Sequence, residues 1–134
     1  MPLSLQPEIG GLATLNGYIE AFAEEHGVSA ADVGAISLAA EELFANTIHH
    51  SEPPATSVEF ALSLADGVVT AVYSDDAAAF DPTLHPAPDT TLPADQRPIG
   101  GLGIHFVRKT MPSFRYSRVD GRNVITFGRP LAGK

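Results

Sequence analysis

Apolar and polar positions along the chain fall into short blocks of two different periods, and these blocks predict the elements of the fold. Leu3 and Leu5 flank Ser4, the alternation of a short opening strand. From Pro7 the spacing lengthens. Ile9, Leu12, Leu15, Tyr18, Ile19 and Phe22 share one side of a 3.6-residue repeat, which predicts a helix beginning at Pro7-Glu8 and closing at Gly27. Ser29 followed by Asp32 has the form of an N-terminal cap with an acidic residue in the first turn. The second helix then runs to about His50. Its apolar stripe is Val33, Ile36, Ala40, Leu43 and Thr47, with Phe44 alongside.

After the polar, proline-rich residues 51–55 the period drops to two. Val58, Phe60, Leu62 and Leu64 line one face of a strand over 57–64, Asp66-Gly67 is a hairpin turn, and 68–74 is the return strand. From Asp75 to Pro98 the pattern dissolves, with prolines at 82, 86, 88, 93 and 98. So long an irregular segment inside a compact domain is usually functional or mobile. Gly100-Gly101-Leu102-Gly103 leads into a helical run over 104–111, and two further strands, near 113–119 and 123–127, flank Asp120-Gly121. The order β-α-α-β-β-lid-α-β-β predicts an α+β class. The architecture is a two-layer sandwich of a mixed, mainly antiparallel sheet with helices on one face.

At 134 residues the chain suits one domain, 1–134, and its 44% hydrophobic and 18% charged residues make a globular composition. No apolar run approaches bilayer length and the N-terminus lacks a secretory pattern, so a cytoplasmic location without membrane association is expected. Without cysteine there is neither a disulfide nor a thiolate metal site. A net charge of -8 repels phosphate backbones and argues against direct nucleic-acid binding. Basic residues are thin until Arg97 and then cluster through Arg108, Lys109, Arg115, Arg118, Arg122 and Arg129. That asymmetry suits a small polyanion such as a nucleotide.

Three constellations carry candidate chemistry. On the second helix, Glu42 and Asn46 stand one turn apart and share a stripe with Ala39 and His50. An Asn carbonyl oxygen is a suitable neutral ligand for Mg²⁺, and a Glu carboxylate can take a proton from a hydroxyl. Taken alone, so short a pattern also describes a solvated helix face. Next, Asp75-Asp76-Ala77-Ala78-Ala79 closes a strand, where a carboxylate can accept a hydrogen bond from the exocyclic amine of adenine; an Asp-rich turn is the plainer reading. Finally, Gly100-Gly101-Leu102-Gly103 opens a helix. Glycines allow the backbone to approach an anion, and the N–H groups of a helix start favour phosphate.

The succession of these three, with a flexible lid before the last, resembles the N, G1 and G2 boxes of the GHKL ATPase superfamily. The closest resemblance is to the bacterial anti-sigma-factor serine/threonine kinases, from about Leu3 to Phe127. It is carried by the run from Glu42 to His50, by Phe80-Asp81-Pro82 and, most specifically, by the run from Gly100 to Arg108. The resemblance implies a Bergerat-type ATP-binding fold with ATP and Mg²⁺ as cofactors. It implies Asn46 as the Mg²⁺ residue, Glu42 as the catalytic base, and Asp75 as the residue that meets the adenine amine. Ala77 stands beside the base, Gly101, Leu102 and Gly103 meet the phosphates, and 82–99 forms the ATP lid. A sigma factor and a STAS-domain antagonist are the implied partners, and relatives commonly form homodimers.

This sequence departs from the family pattern where glycine is usual, at Ala77 and Ala79, and again after Gly121, where threonine near the base gives way to Arg122-Asn123. Two readings therefore stand: an ATP-dependent kinase of a STAS protein, and a catalytically weak or inactive module of the same fold that sequesters a regulator. Plain ATP hydrolysis is a third, weaker reading.

Overall fold

The computed structural model describes residues 2–50, 55–79 and 111–131. The expected lid over 82–99, Phe80-Asp81-Pro82, the glycine run Gly100-Gly101-Leu102-Gly103 and the helical run over 104–110 lie outside the described residues. So do residues 51–54 and the side chain of His50.

Strand β1 (Leu3–Leu5) precedes helices α1 (Gly11–His26) and α2 (Ala30–His50); β2 (Val58–Ala65), β3 (Val68–Asp75), β4 (Ser113–Val119) and β5 (Arg122–Pro130) complete the described elements. The strands form one five-stranded sheet in the order β1-β2-β3-β5-β4, and every described pairing is antiparallel. Both helices pack on one face, so the fold is α+β, in agreement with the Bergerat-type expectation.

Local chemistry explains the boundaries. Helix α1 starts at Gly11 rather than at Pro7, because the preceding residues close tight turns: the Glu8 amide donates to the Gln6 carbonyl at 2.8 Å and the Gly11 amide to the Glu8 carbonyl at 2.8 Å. Two adjacent glycines are poor helix formers and leave that start without a side-chain cap. Ile9, expected on the apolar face, is consequently 70% exposed. Gly27 ends α1 in the left-handed region at φ 66°, as the sequence predicts. Ser29 caps α2 as expected: its Oγ accepts from the Asp32 amide at 3.2 Å and donates to Asp32 Oδ2 at 3.0 Å. Both hairpins turn on Asp-Gly with positive φ at each residue, the pattern of a two-residue turn that matches strand twist.

The register sorts the helix-facing side of the sheet into rows. Leu62, Ala71, Phe127 and Phe114 make one row; Leu3, Phe60, Tyr73, Ile125 and Tyr116 make the next. The row beyond runs Leu5, Val58, Asp75, Asn123 and Arg118, and so turns from apolar to polar halfway across the sheet. Leu15, Ile19, Phe44, Phe60 and Phe127 are buried between helices and sheet.

Helix α2 is tied to the sheet at both ends. Near its start the buried Asp32 accepts from Arg129 Nε on β5 at 2.9 Å. Fifteen residues later, about 22 Å along a helix, Thr47 bonds Asp75 on β3. Val69 pairs with Arg129 in the register, and from Val69 to Asp75 an extended strand covers about 20 Å. The two spans match, so α2 lies along β3 and β5 with its C-terminal half over the polar row.

Candidate functional site at the polar end of the sheet

Helix α2 delivers three polar side chains to this end. Glu42 and Asn46 are each half-buried and lie one turn apart, as the spacing predicts. Ala39, expected on their stripe, is instead fully buried in the core. Thr47, next to Asn46, is buried and points at the sheet. On α1, Asn16 donates to Glu41 Oε1 at 2.8 Å and holds that carboxylate beside Glu42. Burial, with the adjacent Glu41 charge, raises the Glu42 carboxyl above its ordinary pKa. A carboxylate with elevated proton affinity is suited to receive a proton from a hydroxyl.

The second group centres on Asp75, the last residue of β3, which is 7% exposed. Thr47 Oγ1 donates to its Oδ2 at 2.8 Å, and its Oδ1 accepts from Asn123 Nδ2 at 2.9 Å and from the Ala77 amide at 3.2 Å. Tyr73 Oη lies 2.6 Å from Thr47 Oγ1. The Leu43 carbonyl, which only accepts, lies 3.1 Å from Thr47 Oγ1 and 3.2 Å from Tyr73 Oη, so the Thr47 hydroxyl is shared between Asp75 and Leu43, and the Tyr73 hydroxyl between Thr47 and Leu43. Burial drives the Tyr73 phenol far above its ordinary pKa, which keeps it a donor.

Asn123 and Arg118 hold the turn after Asp75. Asn123 Nδ2 also donates to the Ala78 carbonyl at 2.9 Å, and its Oδ1 accepts from Tyr116 Oη at 2.6 Å and Arg118 Nη1 at 3.1 Å. The same Arg118 nitrogen donates to the Ala77 carbonyl at 2.8 Å. Ala77 is buried, Ala79 exposed. Asp76 faces away and binds the Thr56 hydroxyl and amide and the Ser57 amide; the Thr56 hydroxyl is the main cause that lowers its pKa to about 2.

Of the sequence-derived site residues, Glu42, Asn46, Asp75 and Ala77 thus fall at one end of the sheet. They are joined through Thr47, which stands next to Asn46 in the chain and bonds Asp75 in space. Gly101, Leu102 and Gly103 lie outside the described residues.

The family model described as the histidine kinase-like ATPase domain matches residues 5–129. The chain belongs to this family. It is a GHKL-superfamily ATPase domain that resembles anti-sigma-factor kinases. Over 93 residues it is 29% identical to the serine/threonine-protein kinase BtrW of Bordetella bronchiseptica, a match covering 68% of this chain and 66% of that protein. The crystal structure of the RsbU and RsbW domains of Rv1364c from Mycobacterium tuberculosis has the same fold. It aligns with a TM-score of 0.65 at 18% identity over 98% of this chain and 32% of that one. The ATPase domain thus spans somewhat under two thirds of the one relative and about a third of the other.

Sequence reasoning missed Thr47, Tyr73, Arg118 and Tyr116 as members of the site. Thr47 carried a signal: a hydroxyl within an apolar helix stripe must find a buried partner. Arg118 and Tyr116 carried none, because their roles arise from cross-strand register.

Proposed function

We propose that this domain binds ATP-Mg²⁺ and transfers the γ-phosphoryl group to a serine or threonine of a STAS-domain antagonist, while also binding a sigma factor. The observation that carries this reading is the Thr47–Asp75 hydrogen bond of 2.8 Å. It fixes the carboxylate suited to a base amine against the helix that presents Asn46 and Glu42. A nucleotide with its base at Asp75 would extend its phosphates along that helix.

In this reading Asp75 accepts from the adenine amine beside Ala77, and Glu42 takes the proton of the substrate hydroxyl. Gly101, Leu102 and Gly103 offer backbone amides to the phosphates, under a lid formed by 82–99. Asn46 fits a magnesium ligand: it is half-buried, neutral, and has no side-chain hydrogen bond among the described residues. When bound, the ion would neutralise phosphate charge, the main requirement of phosphoryl transfer. The kinase name of the Bordetella relative supports the reaction class.

A second reading is favoured by the filling of Asp75, whose carboxylate already takes three protein donors. A module that had lost catalysis could keep this network for stability and sequester a partner. Incubation with labelled ATP, Mg²⁺ and a cognate STAS protein separates the two. The kinase reading expects label on the STAS protein and none with Glu42→Ala, which should still bind ATP. Normal transfer by Glu42→Ala would remove Glu42 as the base; absence of calorimetric heat at high nucleotide concentration would favour the sequestering module.

A further inference from the structure

Asn123 on β5 bonds the Asp75 carboxylate, and this contact has a consequence for which base can be read. A carboxylate has about four lone-pair directions, two on each oxygen. At Asp75 both directions of Oδ1 are filled, by Asn123 Nδ2 at 2.9 Å and the Ala77 amide at 3.2 Å. Oδ2 takes the Thr47 hydroxyl at 2.8 Å and, among the described residues, has room for one more donor. The orientation of Asn123 is fixed by its partners. Its carbonyl oxygen must face Arg118, which only donates, and its amide must face the Ala78 carbonyl and Asp75, which only accept. Asn123 is 3% exposed and bound on both sides, so it does not move aside when a ligand arrives.

We propose that Asn123, held by Arg118, is a specificity-determining residue that caps Oδ1 of Asp75 and leaves the site a single acceptor, so that adenine is admitted and guanine refused. The proposal rests on the nucleotide reading above and adds to it the choice of base. Adenine presents one amine donor beside a ring nitrogen that accepts, and one free position on Oδ2 satisfies it. Guanine presents two adjacent donors, the ring N1–H and the 2-amine, which pair with both oxygens of a carboxylate. With Oδ1 occupied, one guanine donor is left buried against a filled oxygen, and an unsatisfied buried donor discriminates strongly. The same clamps explain how the turn tolerates alanine at 77 and 79. Side chains hold the Ala77 and Ala78 carbonyls, so the turn is fixed without glycine.

The test is the ratio of dissociation constants for GTP and ATP, each with Mg²⁺, by calorimetry on the intact chain. The wild type should favour ATP at least tenfold. Asn123→Ala opens one direction of Oδ1 and should lower the ratio at least fivefold, chiefly by tightening GTP. Arg118→Met, at an exposed position, loosens Asn123 without emptying the core and should lower the ratio at least twofold. A residue that only supports the fold would weaken both nucleotides alike. An unaltered ratio in folded Asn123→Ala overturns the proposal, and where that variant does not fold, an unaltered ratio in Arg118→Met does so. A wild type that binds ATP and GTP equally overturns the base filter but leaves nucleotide binding standing. A wild type that binds neither overturns both.

Discussion

The hydroxyl of Thr47, on the helix that carries Glu42 and Asn46, donates to the Asp75 carboxylate at 2.8 Å, and that carboxylate ends the central strand. Removing the hydroxyl takes one donor from the buried Asp75 carboxylate and one partner from Tyr73 Oη, 2.6 Å away, which keeps the Leu43 carbonyl at 3.2 Å. Thr47→Val keeps the shape and should lower unfolding stability by about 2 kcal/mol, the worth of a buried hydrogen bond to a charged group. Thr47→Ser, which keeps the hydroxyl, should lose less than half as much. Urea denaturation of both variants reads the difference, and ATP affinity should fall with Thr47→Val because Asp75 is no longer aimed.

The opposite end of α2 makes a comparison. Asp32 is 2% exposed and meets Arg129 Nε at 2.9 Å. Arg129→Met removes one charge and leaves the other buried, which should cost about 3 kcal/mol. The loss should exceed that of Thr47→Val in denaturation, while the remaining protein keeps its relative preference among nucleotides, because the site lies at the other end of the helix.

The strands and both hairpins were legible because alternation and Asp-Gly turns are local signals: the turn at Asp66-Gly67 and the one at Asp120-Gly121 follow from two residues each. The start of α1 was not, because the apolar spacing of Ile9 imitates a helix while Gly10 and Gly11 favour a turn. In the site, Glu42, Asn46 and Asp75 carry chemistry in their residue types, but spacing alone also describes a solvated helix face and an Asp-rich turn, and only the succession of motifs that resembles the family's boxes singles them out. Asn123, Arg118 and Tyr116 act only through pairing across strands far apart in sequence, and no local pattern encodes that register. Thr47 lies between: its position in an apolar stripe announced burial, but only the fold supplies its partner.

Glycines in α1 separate close packing from mere propensity. A Cβ built on Gly11 would lie 2.8 Å from the Phe44 ring and 3.3 Å from the Gln6 carbonyl, and that ring is fully buried. Gly11→Ala should therefore force α1 away from α2 and cost about 1–3 kcal/mol. A Cβ on Gly17 would meet nothing within 4 Å. There helix propensity alone decides, and Gly17→Ala should add about 1 kcal/mol. Thermal unfolding should show the two substitutions with opposite signs; stabilisation by both would mean that the α1–α2 contact is not this tight.

Glu42 offers a prediction in which stability and activity move in opposite directions. Burial and the Glu41 charge raise its folded-state pKa, so between the unfolded and folded values the native state binds the proton more tightly than the unfolded state does. Unfolding stability then falls as pH rises through that window, by the linkage relation. Once ionised, the carboxylate stands in an unfavourable place. Glu42→Gln removes that charge and should raise the melting temperature at pH 7. The gain should shrink as pH is lowered below the raised pKa, where the wild-type carboxyl is itself protonated and the two proteins become alike. Phosphoryl transfer should respond in the contrary sense, lost in Glu42→Gln at every pH and declining in the wild type on an acid limb shifted upward from the ordinary glutamate value. A melting temperature that drops at pH 7 in Glu42→Gln would show that the carboxylate is stabilised rather than strained where it stands, and would remove the physical ground for treating it as the base.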